Sequence, residues 1–354
     1  MSKFILSKLR TVWLLCFLGI GPLLANGVYA AEHAVILTYH HVATDTPAST
    51  SINPQTFVEH LAYLDTNGYQ VWPVQQIVEH LMAKKPVPEK VVGLTFDDAY
   101  ASIFTTAAPL LKARNMPFTV FASTALIGDN AGTYMSWSQL RALYKDGVDI
   151  ANHSHNHLHY PTLNLSEAKN QLHLAANTLH EKVGSNSKLF AYPYGEFTQE
   201  VAKLISSNGW IGFGQHSGPI GFHSNFAALP RFPLGGNYSS IKQLKQRLNT
   251  QPLEIDLELN ASVVTHKSQL ALEFSLLNPP QRVDQLICFG GNNTQLNEQP
   301  TISSNHTTYR LTAEVGIGRT KFNCTLPHAE KPGVYYWWSY LVMHPPSVQE
   351  WYSW

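Results

Sequence analysis

Leu94-Thr95-Phe96-Asp97-Asp98 ends an apolar run that begins at Val91. The run reads as a buried strand. Two adjacent carboxylates at its exit are costly unless they share a cation or a proton. A second cluster, Asn152-His153-Ser154-His155-Asn156-His157, follows another apolar run, Val148–Ala151, and offers imidazoles four residues apart. One carboxylate plus two histidines is a recurrent divalent-metal triad that leaves positions open for water activation. The second carboxylate is then free to act as a base. Taken singly, Asp97-Asp98 also fits a helix N-cap with a first-turn acid, and the histidines fit an exposed loop. Two independent signals at equivalent strand ends argue against both, and the pair points to a metal-dependent hydrolase.

Outward from these motifs, short apolar runs alternate with amphipathic stretches from Ala34 to Thr250. Strands are predicted at Ala34–Tyr39, Tyr69–Trp72, Val91–Phe96, Phe118–Phe121, Val148–Ala151, Leu189–Tyr192 and Ile211–Phe213. Helical spacing marks Pro54–Asn67, Ile103–Arg114, Ser136–Lys145, Ser166–Val183 and Thr198–Ser207. Such alternation predicts an α/β fold with a parallel sheet of about seven strands, doubly wound or closed as a barrel. The polar clusters just after the strands suit the catalytic end of a barrel. Beyond Thr250 the pattern changes to two-residue alternation (Ile255, Leu257, Leu259; Leu270, Leu272, Phe274, Leu276), which predicts a small antiparallel β-sandwich of about 100 residues. The expected division is 1–30 leader, 31–250 barrel and 251–354 β domain.

Lys3, Lys8 and Arg10, the apolar stretch Val12–Ala25 and Val28-Tyr29-Ala30 read as a secretory signal peptide cut after Ala30 or Ala31. Gly19, Gly21 and Pro22 break its apolar core, and no later segment is long and apolar enough to span a bilayer. An exported protein, periplasmic or secreted, is expected, with no membrane span after cleavage. Of three cysteines, Cys288 and Cys324 remain after the leader and are expected to pair. The 24 basic and 24 acidic residues balance, which argues against a nucleic-acid partner. The sequence carries no signal for an oligomeric state.

Thr95-Phe96-Asp97-Asp98 with His153-Ser154-x-x-His157 closely resembles the NodB-homology polysaccharide deacetylases, carbohydrate esterase family 4. Phe190-Ala191-Tyr192-Pro193-Tyr194-Gly195 looks like that family's third motif, and the resemblance covers Ala34 to Thr250. It implies a distorted (β/α) barrel and one divalent ion, zinc first, with nickel, cobalt or iron as alternatives. It further implies Asp97 as base, Asp98, His153 and His157 as ligands, and the Tyr194 backbone N–H as oxyanion donor. The third motif lacks the family's base-orienting arginine, having Ala191 and Tyr192 instead. Arg231, in Leu229-Pro230-Arg231-Phe232-Pro233, either replaces it or is an ordinary surface arginine.

The family's late Leu-x-His motif, which supplies a general acid, is also missing; Thr265-His266 is a poor match. Thr38-Tyr39-His40-His41-Val42 instead resembles the subgroup of exported poly-β-1,6-N-acetylglucosamine deacetylases. His40, ahead of His41, is the expected acid; its competing role is to hydrogen-bond backbone at the strand exit. His155 and His159 are expected to be supporting loop residues. The resemblance implies removal of N-acetyl groups from an N-acetylglucosamine-containing polymer. Alternatives are a chitooligosaccharide, peptidoglycan or O-acetyl-sugar deacetylase, or an inactive glycan-binding protein. Tyr335-Tyr336-Trp337-Trp338 and the C-terminal Trp351, Tyr352 and Trp354 read as packing residues ahead of a glycan-stacking face.

Overall fold

The computed structural model describes residues 30–130, 132–256, 264–290, 295–296, 301–303, 306–347 and 350–351. The leader expected over 1–30 lies outside the described residues save for Ala30, as do Leu257 and Leu259 and the terminal Tyr352 and Trp354.

Six apolar runs form neighbouring parallel strands in one curled sheet, in the order Ile211–Phe213, Leu189–Ala191, Asp149–Asn152, Thr119–Ala122, Val91–Phe96 and His33–Tyr39. Almost every residue of these strands is buried, as expected of a parallel sheet covered on both faces. Register decides what meets at the sheet's carboxyl edge. Tyr39 pairs with Phe96, which brings His40 beside Asp97, and Asn152 pairs with Ala122 and Phe190, which brings His153 beside the third motif.

The segment 226–234 joins the two outer strands. The Leu229 N–H donates to Gly212 O and the Gly214 N–H to Leu229 O, while Phe232–Pro233 pairs with Leu37 and Thr38 of the first strand. Gly212 is required at this seam, because a Cβ there would stand 2.0 Å from the Ala227 carbonyl oxygen. The expected strand Tyr69–Trp72 contributes only Gln70–Val71, a short edge beside Val91 and Val92. The ring is therefore completed by the 226–234 segment, whose prolines and lack of alternation hid it from a strand pattern.

Local signals set most helix ends. Ser136 and Asn164 form capping boxes with Gln139 and Glu167, and Gly184 ends Leu165–Val183 in a left-handed conformation. The helix expected over Ile103–Arg114 is a π turn, Ile103–Ala107, followed by Ala108–Lys112. Pro109 has no N–H to donate and crowds the carbonyl four residues back, so the preceding turn widens. Helices Val74–Met82 and Ile241–Leu248 add to those expected.

From Thr250 the chain is β. One sheet runs Thr250–Pro252, Tyr335–His344, Gly318–Pro327, Ile287–Phe289 and Gln295–Leu296; the other runs Ile255–Asp256, Gln269–Leu276, His306–Glu314 and Thr301–Ser303. Leu272, Phe274, Leu311, Phe322 and Val342 fill the space between them. Cys288 and Cys324 sit opposite each other on adjacent antiparallel strands and form a disulfide. The sandwich packs on the barrel: the Trp337 ring meets Phe232 edge-on at 5.4 Å, and its Nε1–H donates to Ser217 Oγ at 3.1 Å. Trp338 packs within the sandwich against Phe274 and Tyr340.

Candidate active site

Asp97 and Asp98 leave the Val91–Phe96 strand in different directions. The Asp97 N–H still donates to Tyr39 O, whereas Asp98 and Ala99 adopt left-handed φ values of 67° and 57°. This turn excludes the helix-cap reading and separates the two carboxylates. Asp97 is fully buried and meets Arg231, also fully buried, in a two-pronged ion pair: Nη1 to Oδ1 at 2.7 Å and Nη2 to Oδ2 at 2.8 Å. The rest of the guanidinium is held by Gly214 O, Thr38 Oγ1 and Thr95 Oγ1. Burial, the largest single influence, would raise the Asp97 carboxyl, but the charge and hydrogen bonds of Arg231, with His153 and His40, together outweigh it and hold the group below its ordinary value. Arg231 is therefore no surface arginine.

Asp98 Oδ1 lies 3.2 Å from His153 Nε2 and 3.1 Å from His157 Nε2, and the three atoms fall within 4.8 Å of one another. The loop holding the imidazoles is built by its own side chains. The Ser154 N–H donates to Asn152 Oδ1, the His157 N–H to Ser154 Oγ and the Asn156 N–H to Gln171 Oε1. Ser154 and His157 have φ values of 69° and 54°, a backbone cost that persists only where the surroundings over-determine it. His153 Nδ1 is 2.8 Å from the Ala191 carbonyl oxygen. That oxygen accepts only, so Nδ1 carries the proton, and in the neutral ring Nε2 presents a lone pair. Asp98 Oδ1 is buried with no donor in line with it. A carboxylate oxygen and two imidazole nitrogens converging on one point, with that oxygen orphaned, fit a divalent cation.

His40 reaches the same centre, with Nε2 4.0 Å from Asp97 Oδ2 and its side chain 15% exposed. Burial lowers its pKa against the pull of Asp97 and Asp98. His41 packs instead against the Tyr100 ring at 3.6 Å and is 3% exposed. His155 is bound to Thr124, and His159 to the buried Glu196 at 2.6 Å, both in supporting positions. His266 is exposed on the β domain. Tyr194 (φ 59°) lies between Pro193 and Gly195, its ring edge-on to His157 at 4.5 Å.

Four residues of this arrangement escape a reading of the sequence alone. Thr38 and Thr95 pair with each other across the sheet, and hydroxyls in two otherwise apolar strands were their only local signal. Glu196 directly follows the third motif. Arg319, from the β domain, donates to the Tyr194 carbonyl oxygen across 125 residues and has no local signal at all.

Residues 84–211 match the model of the family described as Polysaccharide deacetylase. That stretch, which holds Asp97, Asp98, His153 and His157, is a polysaccharide deacetylase domain. The Bacillus subtilis (strain 168) protein YxkH is 28% identical over 181 residues, covering 49% of this chain and 61% of YxkH. The poly-beta-1,6-N-acetyl-D-glucosamine N-deacetylase of Escherichia coli (strain K12) is 26% identical over 274 residues, covering 64% of this chain and 40% of that protein. The chain thus spans about two-fifths to three-fifths of the lengths of these relatives. Among solved structures, the Streptococcus pyogenes deacetylase PplD in complex with acetate shares the fold (TM-score 0.57, 21% identity), covering 61% of this chain and 98% of that one.

Proposed function

We propose that this protein is a metal-dependent N-deacetylase acting on an N-acetylglucosamine-containing polymer, most closely a poly-β-1,6-linked one. The observation that carries the reading is the meeting of Asp98, His153 and His157 with an Asp97 clamped by Arg231 at one end of the barrel. In this reading Asp98, His153 and His157 hold one divalent ion, zinc ahead of nickel, cobalt or iron. When bound, such an ion lowers the pKa of water and polarises an acyl carbonyl. Asp97 takes the proton of the attacking water, and Arg231 keeps that carboxylate ionised and aimed. The Tyr194 N–H, second in a short 3-10 turn and so without an intrahelical acceptor, faces the developing oxyanion. His40 protonates the departing amine nitrogen, which cannot leave as an anion near neutral pH. Acetate and a free glucosamine unit result.

The activity named for the Escherichia coli relative and the Thr38-Tyr39-His40-His41 strand end favour the poly-N-acetylglucosamine substrate over chitooligosaccharides, peptidoglycan or O-acetyl sugars. We also propose the division into 1–30 leader, 31–250 barrel and 251–354 β domain, and export to an oxidising compartment. The Cys288–Cys324 disulfide supports export, and no helix among the described residues is long and apolar enough to cross a membrane. The test is acetate release from a glycan panel by zinc-loaded protein. Release from poly-β-1,6-N-acetylglucosamine above the other polymers is expected; no release from any member would refute the reading.

A further inference from the structure

We infer that Arg319, contributed by the β domain, is a positioning residue for the barrel's oxyanion loop. The inference rests on the deacetylase reading above and assigns the second domain a part in that same site.

Tyr194 is held at both ends. Its ring lies flat on the His159 imidazole, with centroids 3.9 Å apart and planes 10° apart. His159 Nδ1 is 2.6 Å from Oε2 of Glu196, which is fully buried. On the other side of Glu196, Oε1 stands 3.8 Å from Arg319 Nε. The same guanidinium donates through Nη1 to the Tyr194 carbonyl oxygen. One planar cation therefore touches both the peptide of Tyr194 and the carboxylate that anchors the ring beneath which Tyr194 stacks. A guanidinium suits this task because it presents several donors in a fixed fork, whereas an ammonium offers a mobile point charge.

The loop needs such a hold. Tyr194 and Gly195 are consecutive residues with positive φ, 59° and 71°. For tyrosine that conformation costs on the order of 1–3 kcal/mol and persists only under external constraint. Gly195 cannot take a side chain, since a Cβ would lie 2.4 Å from Gln215 Cβ. Within the turn itself the Gly195 N–H bonds Tyr192 O and the Glu196 N–H bonds Pro193 O. Those bonds close the turn and hold the Tyr194–Gly195 peptide by its N–H. Arg319 holds the same peptide by its carbonyl, so the plane on the C-terminal side of Tyr194 is held at both ends and becomes a fixed support for the neighbouring plane that carries the Tyr194 N–H. Arg319 lies on the Gly318–Pro327 strand, the sandwich's long central strand, whose ten pairs with Tyr335–His344 make a stiff mount.

The experiment compares wild type, Arg319→Ala and Arg319→Lys in the full-length, zinc-loaded protein. Readouts are kcat and KM on an N-acetylated glycan and on an acetyl ester, metal content, melting temperature and amide hydrogen exchange of residues 192–198. Arg319→Ala should lose about 10–100-fold in kcat with KM within about twofold, because the hold acts on transition-state geometry. Amide and ester should suffer alike, since both pass through an oxyanion. Exchange at 192–198 should rise while metal content and melting temperature stay put, and Arg319→Lys should recover part of the loss. Wild-type kcat in Arg319→Ala, or losses that merely follow metal or melting temperature in both variants, would overturn the inference. If wild type itself released no acetate, the deacetylase reading would fail separately. The exchange data would still decide for or against Arg319 as the clamp.

Discussion

Replacing Arg231 with methionine removes the charge partner of the Asp97 carboxylate. Both ends of the pair are fully buried, and its two contacts are 2.7 and 2.8 Å. Breaking a buried pair from one side costs about 3–5 kcal/mol, because the remaining charge is left without compensation. That is about a fifth or more of a typical domain's stability. Asp97→Asn is the milder change. It keeps the shape of the carboxylate, and the guanidinium keeps Gly214 O, Thr38 Oγ1 and Thr95 Oγ1; about 1–3 kcal/mol is expected. The Arg231→Met/Asp97→Asn double variant removes both charges at once. Its loss should therefore fall short of the sum of the singles by about 1–3 kcal/mol. Urea denaturation of the four proteins at equal zinc saturation measures this coupling, and acetate release measures the catalytic effect. Both single variants should lose at least about 10²-fold in kcat. An Arg231→Met midpoint equal to wild type, or strictly additive losses, would show that the buried pair does not behave as a unit.

His153→Ala/His157→Ala should purify without stoichiometric divalent metal by elemental analysis, whereas Asp97→Asn should retain it. His40→Ala should lose far more turnover on an amide than on an activated ester, which needs less protonation of its leaving group, while His41→Ala should treat both alike; equal losses in His40→Ala would reassign the acid. Reducing Cys288–Cys324, which spans 36 residues, should lower the β domain's stability by about 4 kcal/mol in the chain-entropy picture, read as a shifted denaturation midpoint. His60 is fully buried, and burial pushes its pKa down to about 4. The unfolded chain, with its ordinary value near 6.5, binds the proton first, so stability is full above about pH 6.5. It falls by up to about 1.4 kcal/mol per unit as pH drops toward 4, and His60→Gln should flatten that part of the stability–pH curve.

The clustering of Asp97, Asp98, His153 and His157 was legible in the sequence because its members are local. Asp97 and Asp98 follow one strand directly, and His153 and His157 share one loop, so apolar runs and spacing suffice to place them at a common barrel end. The parallel strands were legible for the same reason, being short apolar runs bounded by polar turns. The Ile103–Ala107 widening was not, since it reflects how Pro109 is accommodated by the turn before it. Two decisions belonged to the tertiary structure alone. Arg231 reaches Asp97 across 134 residues because the 226–234 segment, with no strand periodicity of its own, closes the sheet and turns the side chain inward. Arg319 reaches Tyr194 across 125 residues because the sandwich docks against that seam. Such contacts leave no periodic trace in the chain: a buried arginine and an exposed one are written identically until the register of the sheet and the packing of the domains bring a carboxylate or a carbonyl to meet it.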